Sequence, residues 1–288
     1  MLSCVNLNNN NINNLKKLND DRKIFNNINK DFFKFYNDLN FIQKHFRKKL
    51  VKLLEDSGKY VGYIWINNDS RKYYRIESLS ININEDSVKC FKMLLNSISL
   101  KGSFIYECEK NNFNYKVLKE IGFKKIQGTL EMCCNLIGTK HLEIRKDISI
   151  TKFLSNQDEK IRCYIQNKIF EKDDRIPLSI QDIYFDESQD YYFEDGCYFI
   201  NIDDKPIGYG QIIVNDSMPI VVNFGILSEY RKNGYGKYFI KFLQNVAVKN
   251  GFKEIYIKVD WDNRIAFELY KSVGFKVDKE IYKWKLQR

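Results

Sequence analysis

The chain has 288 residues, 44% of them apolar, and a formal net charge of +10. That apolar content is enough to bury real cores and excludes a wholly disordered chain. No stretch approaches the roughly 20 consecutive apolar residues that a membrane span requires. Seven cysteines with no C-x-x-C pair, and only two histidines, His45 and His141, argue against a disulfide framework and a structural zinc site. The start Met1-Leu2-Ser3-Cys4-Val5-Asn6 turns polar at once, unlike a secretory signal. The expectation is a soluble, cytoplasmic protein of a reducing compartment, with no metal and no membrane partner.

The positive charge is uneven. Residues 1–143 carry 24 basic and 15 acidic groups, whereas residues 144–288 carry 23 and 22. A basic first half suits an anionic partner. However, lysines outnumber arginines 37 to 10, beside many Asn, Ile, Phe and Tyr, all with AT-rich codons. With no arginine- and aromatic-dense patch, a nucleic-acid partner is not expected.

In chain order, the first 40 residues hold 13 asparagines, with Asn8 to Asn11 unbroken. Residues 1–14 are expected to be frayed. Apolar residues at Ile24, Ile28, Phe32, Phe35 and Leu39 have helical spacing, and a second helical stretch runs from about Ile42 to Leu54. Tyr60 to Ile66 and Arg75 to Ile83 read as strands, Glu85 to Ser99 as a helix and Gly102 to Cys108 as a strand. Tyr115 to Ile121 reads as a helix stopped by Gly122, followed by a strand region from Lys124 to Leu136. The same order returns in the second half. Strands are expected at 205–213, 220–227 and 254–259, helices at 236–250 and 264–273, and closing strands over 275–286.

The repeat is numerical. A shift of 152 residues carries Gly122-Phe123 onto Gly274-Phe275, Asn111 onto Asn263 and Phe104-Ile105 onto Tyr256-Ile257. Self-similarity at this period means two copies of one domain. The division is expected as 1–140 and 141–288, with a boundary near Gly138 to Ile144.

The segment Arg231-Lys232-Asn233-Gly234-Tyr235-Gly236 follows an apolar strand and opens a helix. The first N–H groups of a helix have no intrahelical partner, and the helix dipole adds positive potential there. Glycines permit close backbone approach, so this is an anion cradle, and Arg231 can add charge-assisted hydrogen bonds.

This segment resembles the signature of the GCN5-related N-acetyltransferase (GNAT) family, Gln/Arg-x-x-Gly-x-Gly/Ala. Arg231, Gly234 and Gly236 occupy its three defined positions. Downstream, Asn263, Ala266, Tyr270 and Gly274-Phe275 are similar to the family's second cofactor segment. The resemblance implies an α/β (α+β mixed) fold of two GNAT-like domains. Each would have a mixed, mostly antiparallel central sheet flanked by helices, with strands four and five splayed apart.

It also implies acetyl-CoA as co-substrate. Phe224, Gly225, Ile226 and Leu227 would pair with the pantetheine arm, residues 231–236 would hold the pyrophosphate, and Asn263 and Ala266 would stand at the other lip. Tyr270 would protonate the departing thiolate. Asp260, or a water held near Asn223, is the candidate base. Against these stand a core tyrosine for Tyr270 and a turn cap for Asp260. Cys163 and Cys197 are possible nucleophiles by residue type, but buried cysteines mostly pack.

In the first half the cradle positions fall on Leu79, Asn82 and Asn84, and Leu118 replaces the tyrosine. That half reads as a degenerate copy whose gap is filled by its own side chains. Between Glu171 and Asp195 lie nine acidic groups against Lys172 and Arg175, interleaved with Tyr184, Phe185, Tyr191, Tyr192 and Phe193. A cationic amine suits such a segment, as does a merely solvated loop. The expected function is transfer of an acetyl group from acetyl-CoA to a small-molecule or peptide primary amine. The alternative is a non-catalytic scaffold that senses acetyl-CoA or a partner. The expected assembly is a monomer with an intramolecular pseudo-dimer, or a homodimer.

Overall fold

The computed structural model describes residues 1–82, 87–138, 145–173 and 175–288. Asn84 and His141, singled out above, Asp174, one of the nine acidic groups between Glu171 and Asp195, and most of the expected boundary lie outside them. The fold is mixed α/β on mostly antiparallel strands, with two compact units. One comprises Met1–Thr129 together with Lys279–Arg288, and the other Leu130–Asp278. A simple cut near residues 138–144 does not describe this packing, because the last ten residues belong to the first unit.

In the first unit, β1 (Leu2–Asn6) is followed by four short helices: α1 (Ile12–Asp20), α2 (Arg22–Phe25), α3 (Phe32–Tyr36) and α4 (Phe41–Lys49). Then come β2 (Val51–Asp56), β3 (Lys59–Ser70), β4 (Tyr73–Ile81), α5 (Ser87–Asn96), β5 (Ser103–Glu109) and α6 (Asn114–Glu120). The next strand, β6 (Lys124–Asn135), runs from the first unit into the second. The C-terminal strand β12 (Lys276–Gln287) pairs antiparallel with β5 from Ile281 to Gln287, so the sheet order of this unit is β1-β2-β3-β4-β5-β12.

Three expectations fail here. The helical spacing from Ile24 to Leu39 is not one helix but two short ones, α2 and α3, with Ile28 between them. Residues 1–14 are not frayed: β1 pairs with β2 from Leu2↔Asp56 to Asn6↔Lys52, and Leu7 and Asn11 are buried. The helix expected to reach Leu54 ends at Lys49, because Val51, Leu53 and Leu54 are buried along β2. Apolar alternation within a lysine-rich run resembles a helix stripe over so few residues.

β4 and β5 run parallel from Tyr73↔Ser103 to Ile76↔Tyr106 and then diverge. The backbone groups beyond that point are met by the segment after α2. Asn29 Nδ2 donates to the Leu79 carbonyl at 2.9 Å, and the Leu79 N–H donates to Asn29 Oδ1 at 3.3 Å. Asn26 Nδ2 donates to the Glu107 carbonyl at 2.8 Å and its Oδ1 accepts from the Glu109 N–H at 3.0 Å. The Tyr106 hydroxyl links the two amides. A carboxamide carries the same donor and acceptor as a peptide group, so each asparagine stands in for a missing strand residue. Asn111, the counterpart of Asn263, donates to the Phe25 carbonyl of this plug at 3.2 Å.

The second unit comprises the end of β6 from Leu130, β7 (Ser149–Lys152), α7 (Glu159–Ile169), α8 (Ile180–Glu187), β8 (Tyr192–Ile202), β9 (Lys205–Asn215) and β10 (Met218–Ile226). A 3-10 turn (Ser228–Tyr230), α9 (Tyr235–Lys249), β11 (Glu254–Asp260) and α10 (Arg264–Ser272) complete it. The sheet order is β6-β11-β10-β9-β8-β7. Phe239, Ile240 and Leu243 of α9 pack on one face with Met132, Cys134, Ile255 and Phe275. Ile165 of α7 and Ile183 of α8 pack on the other with Phe199 and Tyr209. Cys134 is buried and its neighbour Cys133 half-buried, as successive strand residues require.

Asn29→Ala strands both polar groups of Leu79 in a buried site. At about 1–3 kcal/mol per orphaned buried group, the loss should be about 2–4 kcal/mol of unfolding free energy in urea. A loss under about 1 kcal/mol would show that the diverging strands are satisfied in some other way.

Candidate functional site

In the second unit β10 and β11 pair in parallel only at Ile220↔Tyr256 and Val221↔Ile257. The reason is local. Asn223 has φ +53° and the register to β9 shifts between Val222 and Gly225, a bulge that turns β10 away from β11. Among the described residues, no side chain is hydrogen-bonded to the backbone of Asn223, Phe224 or Gly225. This gap therefore has an open strand edge where the first unit has its asparagine plug.

At the end of β10 the chain turns through Lys232 (φ +68°) and Gly234 (φ +79°) into α9. Gly234 is the N-cap, without a side-chain cap. The first intrahelical bond at this end runs from the Tyr238 N–H to the Gly234 carbonyl, at 3.1 Å, so the N–H groups of Tyr235, Gly236 and Lys237 have no helical acceptor. Gly234 is required by its left-handed backbone. Gly236 is required by neither backbone nor packing, since a Cβ there would meet Leu269 Cδ2 at an ordinary 3.4 Å. A glycine inside a helix costs about 0.5–1 kcal/mol relative to alanine. At this uncapped N-terminus it leaves the backbone bare.

Arg231 is partly committed. Its Nε donates to the Ile226 carbonyl at 2.8 Å and its Nη2 to the Ile169 carbonyl at 3.4 Å, tying the end of α7 to the end of β10. A second cation at the cradle escaped the sequence reading. Arg145 Nη1 donates to the Asn233 carbonyl at 3.2 Å, and its guanidinium lies 4.8 Å from the Tyr235 ring centroid. The Arg145 guanidinium also holds the Asp147 carboxyl below the usual carboxylate range. No motif marks Arg145, because it reaches the cradle from 88 residues upstream.

Across the gap, Asn263 caps α10, its Oδ1 accepting from the Ala266 N–H at 3.1 Å. Its side-chain N–H groups remain available at the lip. Tyr270 is buried, 6.1 Å from Phe224 and 6.0 Å from Phe275 between ring centroids. Burial pushes its pKa up to about 12, so the phenol stays protonated at neutral pH, and among the described residues none is hydrogen-bonded to its hydroxyl. Asp260 is exposed at the end of β11, its carbonyl accepting from the Asn263 N–H at 2.9 Å. The structure thus brings the cradle, Asn263 and Tyr270 around one gap and leaves Asp260 at its open end.

On the α7–α8 face, a buried polar chain reaches the bulge. Arg162 Nη2 donates to Asp186 Oδ2 at 2.5 Å and to Gln211 Oε1 at 3.1 Å. Gln211 Nε2 donates to Asp186 Oδ2 at 3.0 Å, and Asn223 Nδ2 donates to Gln211 Oε1 at 3.1 Å. The charges fix the polarity. The guanidinium draws the Gln211 oxygen, the carboxylate draws its N–H, and Asn223 must offer its own N–H to Gln211. Asn223 Oδ1 is left as a fixed acceptor at the bulge.

Several of the acidic groups expected to attract a cation are occupied. Asp182 accepts from Ser179 in a capping box, Asp186 is held by Arg162, Asp195 pairs with Lys152 at 2.7 Å and Glu171 with Lys168 at 3.6 Å. Glu187 accepts from the Ser155 hydroxyl. Burial raises the Cys163 and Cys197 thiols above their usual range, which disfavours the thiolate a nucleophile requires. No metal-ligating cluster occurs among the described residues.

Residues 165–275 match the model of the acetyltransferase (GNAT) family. A probable N-acetyltransferase of Drosophila melanogaster is 36% identical over 58 residues, which make up 20% of this chain and 32% of that protein. The match thus spans about a third of that relative's length. A GCN5-related N-acetyltransferase from Sphaerobacter thermophilus is structurally similar at a TM-score of 0.61 and 11% identity, covering 99% of this chain and 95% of that one. A GNAT-family acetyltransferase from Colwellia psychrerythraea follows at 0.55 and 12%, over the full length of both. A tandem GNAT protein from the clavulanic acid biosynthesis pathway reaches 0.51 at 9%, over 100% of this chain and 98% of that one. Residues 165–275 thus match the GNAT acetyltransferase family model, in a chain that shares its fold with GNAT proteins along nearly its whole length.

Proposed function

We propose that the second unit transfers an acetyl group from acetyl-CoA to a primary amine, and that it is the sole cofactor-binding half. The observation that carries this reading is the contrast between the gaps. One is plugged by Asn26 and Asn29; the other keeps an open strand edge beside an uncapped, glycine-lined helix N-terminus. The residues fit the co-substrate. The edge at Phe224 to Leu227 suits the pantetheine amides, and the N–H groups of residues 232–236, with Arg231 and Arg145 alongside, suit the pyrophosphate. Asn263 and Ala266 stand at the far lip. Bound acetyl-CoA supplies an activated thioester carbon.

The protein's part is positioning and proton transfer. Asn223 Oδ1 accepts an N–H of the neutral amine and aims its lone pair at the thioester carbon. As the C–N bond forms and the C–S bond breaks, Tyr270 gives its hydroxyl proton to the departing sulfur. The proton lost by the amine passes to water at the mouth of the gap, where Asp260 is the nearest candidate base by position on β11. The open edge and the buried, still-protonated tyrosine favour turnover over sensing alone.

Thiol release from acetyl-CoA with a panel of primary amines tests the reaction; cofactor binding with no turnover on any amine would support the sensing role instead. Tyr270→Phe keeps the ring packing and removes the proton. Turnover should fall by roughly 100- to 10,000-fold with acetyl-CoA affinity little changed. Wild-type turnover would reduce Tyr270 to a packing role.

Gly236→Asp separates folding from binding. An acidic residue in the first turn of a helix is favourable by about 0.3–1 kcal/mol, so α9 should be no less stable. The same carboxylate opposes the pyrophosphate, and calorimetry should show acetyl-CoA affinity reduced at least tenfold. Unchanged affinity would remove the cradle from residues 234–236.

Calorimetric titration of the intact chain should give one acetyl-CoA per chain. A stoichiometry near two would mean that the Asn26–Asn29 plug yields to the cofactor.

A further inference from the structure

Helix α4 is amphipathic in the reverse sense. It has nine residues, none of them buried. An ordinary surface helix turns its apolar stripe to the core and its charges to water. Here the half-buried side is basic. Lys44 lies 5.5 Å from the Tyr36 ring centroid, Arg47 lies 5.7 Å from that of Trp65, and Lys48 donates to Asn9. The outward side carries Phe41, Ile42 and Phe46, which are 83%, 66% and 60% exposed, with His45 and Lys49 beside them. The helix is held by its ends and its cations. Asn40 and Gln43 form a complete capping box, and the Leu50 N–H closes the last turn on the Arg47 carbonyl. A sequence that fixes a helix in this orientation, without core contacts of its own, presents three large apolar side chains to an external surface.

The charge around the stripe selects that surface. From residue 41 to 52 the chain carries Lys44, Arg47, Lys48, Lys49 and Lys52 and no acidic group, and the exposed Lys49 lies 5.4 Å from the Phe46 ring centroid on the outward side. Phe35, 47% exposed, extends the apolar area on α3. Ile42 and Phe41 have no use against a phosphate backbone, and the single arginine is turned onto Trp65, so a nucleic acid is the poorer fit. Three separately protruding apolar side chains need no matching pocket in a fluid interface, and the net positive charge of the segment draws anionic headgroups. We propose that α4 seats the first unit on the surface of an anionic lipid bilayer, with Phe41, Ile42 and Phe46 entering the headgroup boundary. The contact is peripheral; no helix among the described residues is long and apolar enough to cross a membrane.

The test uses the intact chain and vesicles of phosphatidylcholine with about one-third phosphatidylserine, against phosphatidylcholine alone. Cosedimentation should show binding to the mixed vesicles only, weakening as salt is raised. The Phe41→Ser/Phe46→Ser double variant should bind at least tenfold more weakly. Both positions are exposed, and circular dichroism checks that the fold is kept. Independently, emission of a Phe46→Trp variant should shift to the blue when mixed vesicles are added. No binding to anionic vesicles, equal binding by the double variant, or no shift from Phe46→Trp would each overturn the proposal. So would an RNA oligomer or a second copy of the chain binding through the same two phenylalanines in place of vesicles.

Discussion

Two parallel strands that diverge leave N–H and C=O groups facing a gap, and buried backbone groups must find partners. Both units have this divergence at the same place in their strand order, and each resolves it differently. In the first, β4 and β5 part after Ile76 and Tyr106, and the amides of Asn26 and Asn29 take the places that strand residues would hold. In the second, β10 leaves β11 after Val221 because Asn223 bulges, and the edge stays open. The positions of cradle, tyrosine and acceptor face follow from that opening. Tyr270 reaches the gap from α10 through Phe224, and the bare N-terminus of α9 stands at the end of the strand that turned away.

The same constraint explains residues whose type is otherwise odd. Gly225 lets α7 press onto β10, since a Cβ there would lie 2.3 Å from Ile169 Cγ2. Arg231 then bridges the Ile169 and Ile226 carbonyls. Carbonyls at the end of α7 lack intrahelical donors, so an arginine there satisfies them while its charge remains near the cradle. The Arg162–Asp186 pair is costly to bury, and its effect is directional. It orients Gln211, and Gln211 orients Asn223, so that a neutral amide at the bulge exposes oxygen instead of nitrogen.

The sequence was most legible where the candidate site is local in the chain. Arg231 to Gly236 and Asn263 to Phe275 are short segments whose strand, turn and helix contexts could be read from period and glycine placement. The structure shows the expected elements around them. The plug was foreseen only as a filled gap; its residues were not. Asn26 and Asn29 sit in a stretch whose asparagine content reads as low complexity, and their partners are backbone groups 50 to 83 residues away. Side chain-to-backbone pairing over such distances has no period. Arg145 and Arg162 were missed for the same reason. The strand at Leu2–Asn6 was lost because five residues beside an asparagine run carry too little pattern, although pairing with β2 is enough to order them.

The plug in the first unit has a physical rationale. A gap adapted to a ligand costs stability whenever the ligand is absent, because its polar edge must be hydrated in a groove flanked by apolar side chains. Where no ligand offsets that cost, an internal group able to make the same bonds is favourable; Leu79, aligned with Arg231 by the 152-residue shift, in fact lies inside β4 and is itself a partner of the plug. Asparagine suits this role, being the shortest side chain that carries both halves of a peptide hydrogen bond. Asn111 fits the same account. In the second unit its counterpart, Asn263, uses its side-chain oxygen to cap α10, whereas Asn111 also gives its side-chain N–H to the Phe25 carbonyl of the plug. The first unit thus has the same diverging strands as the second and fills the gap between them from its own chain.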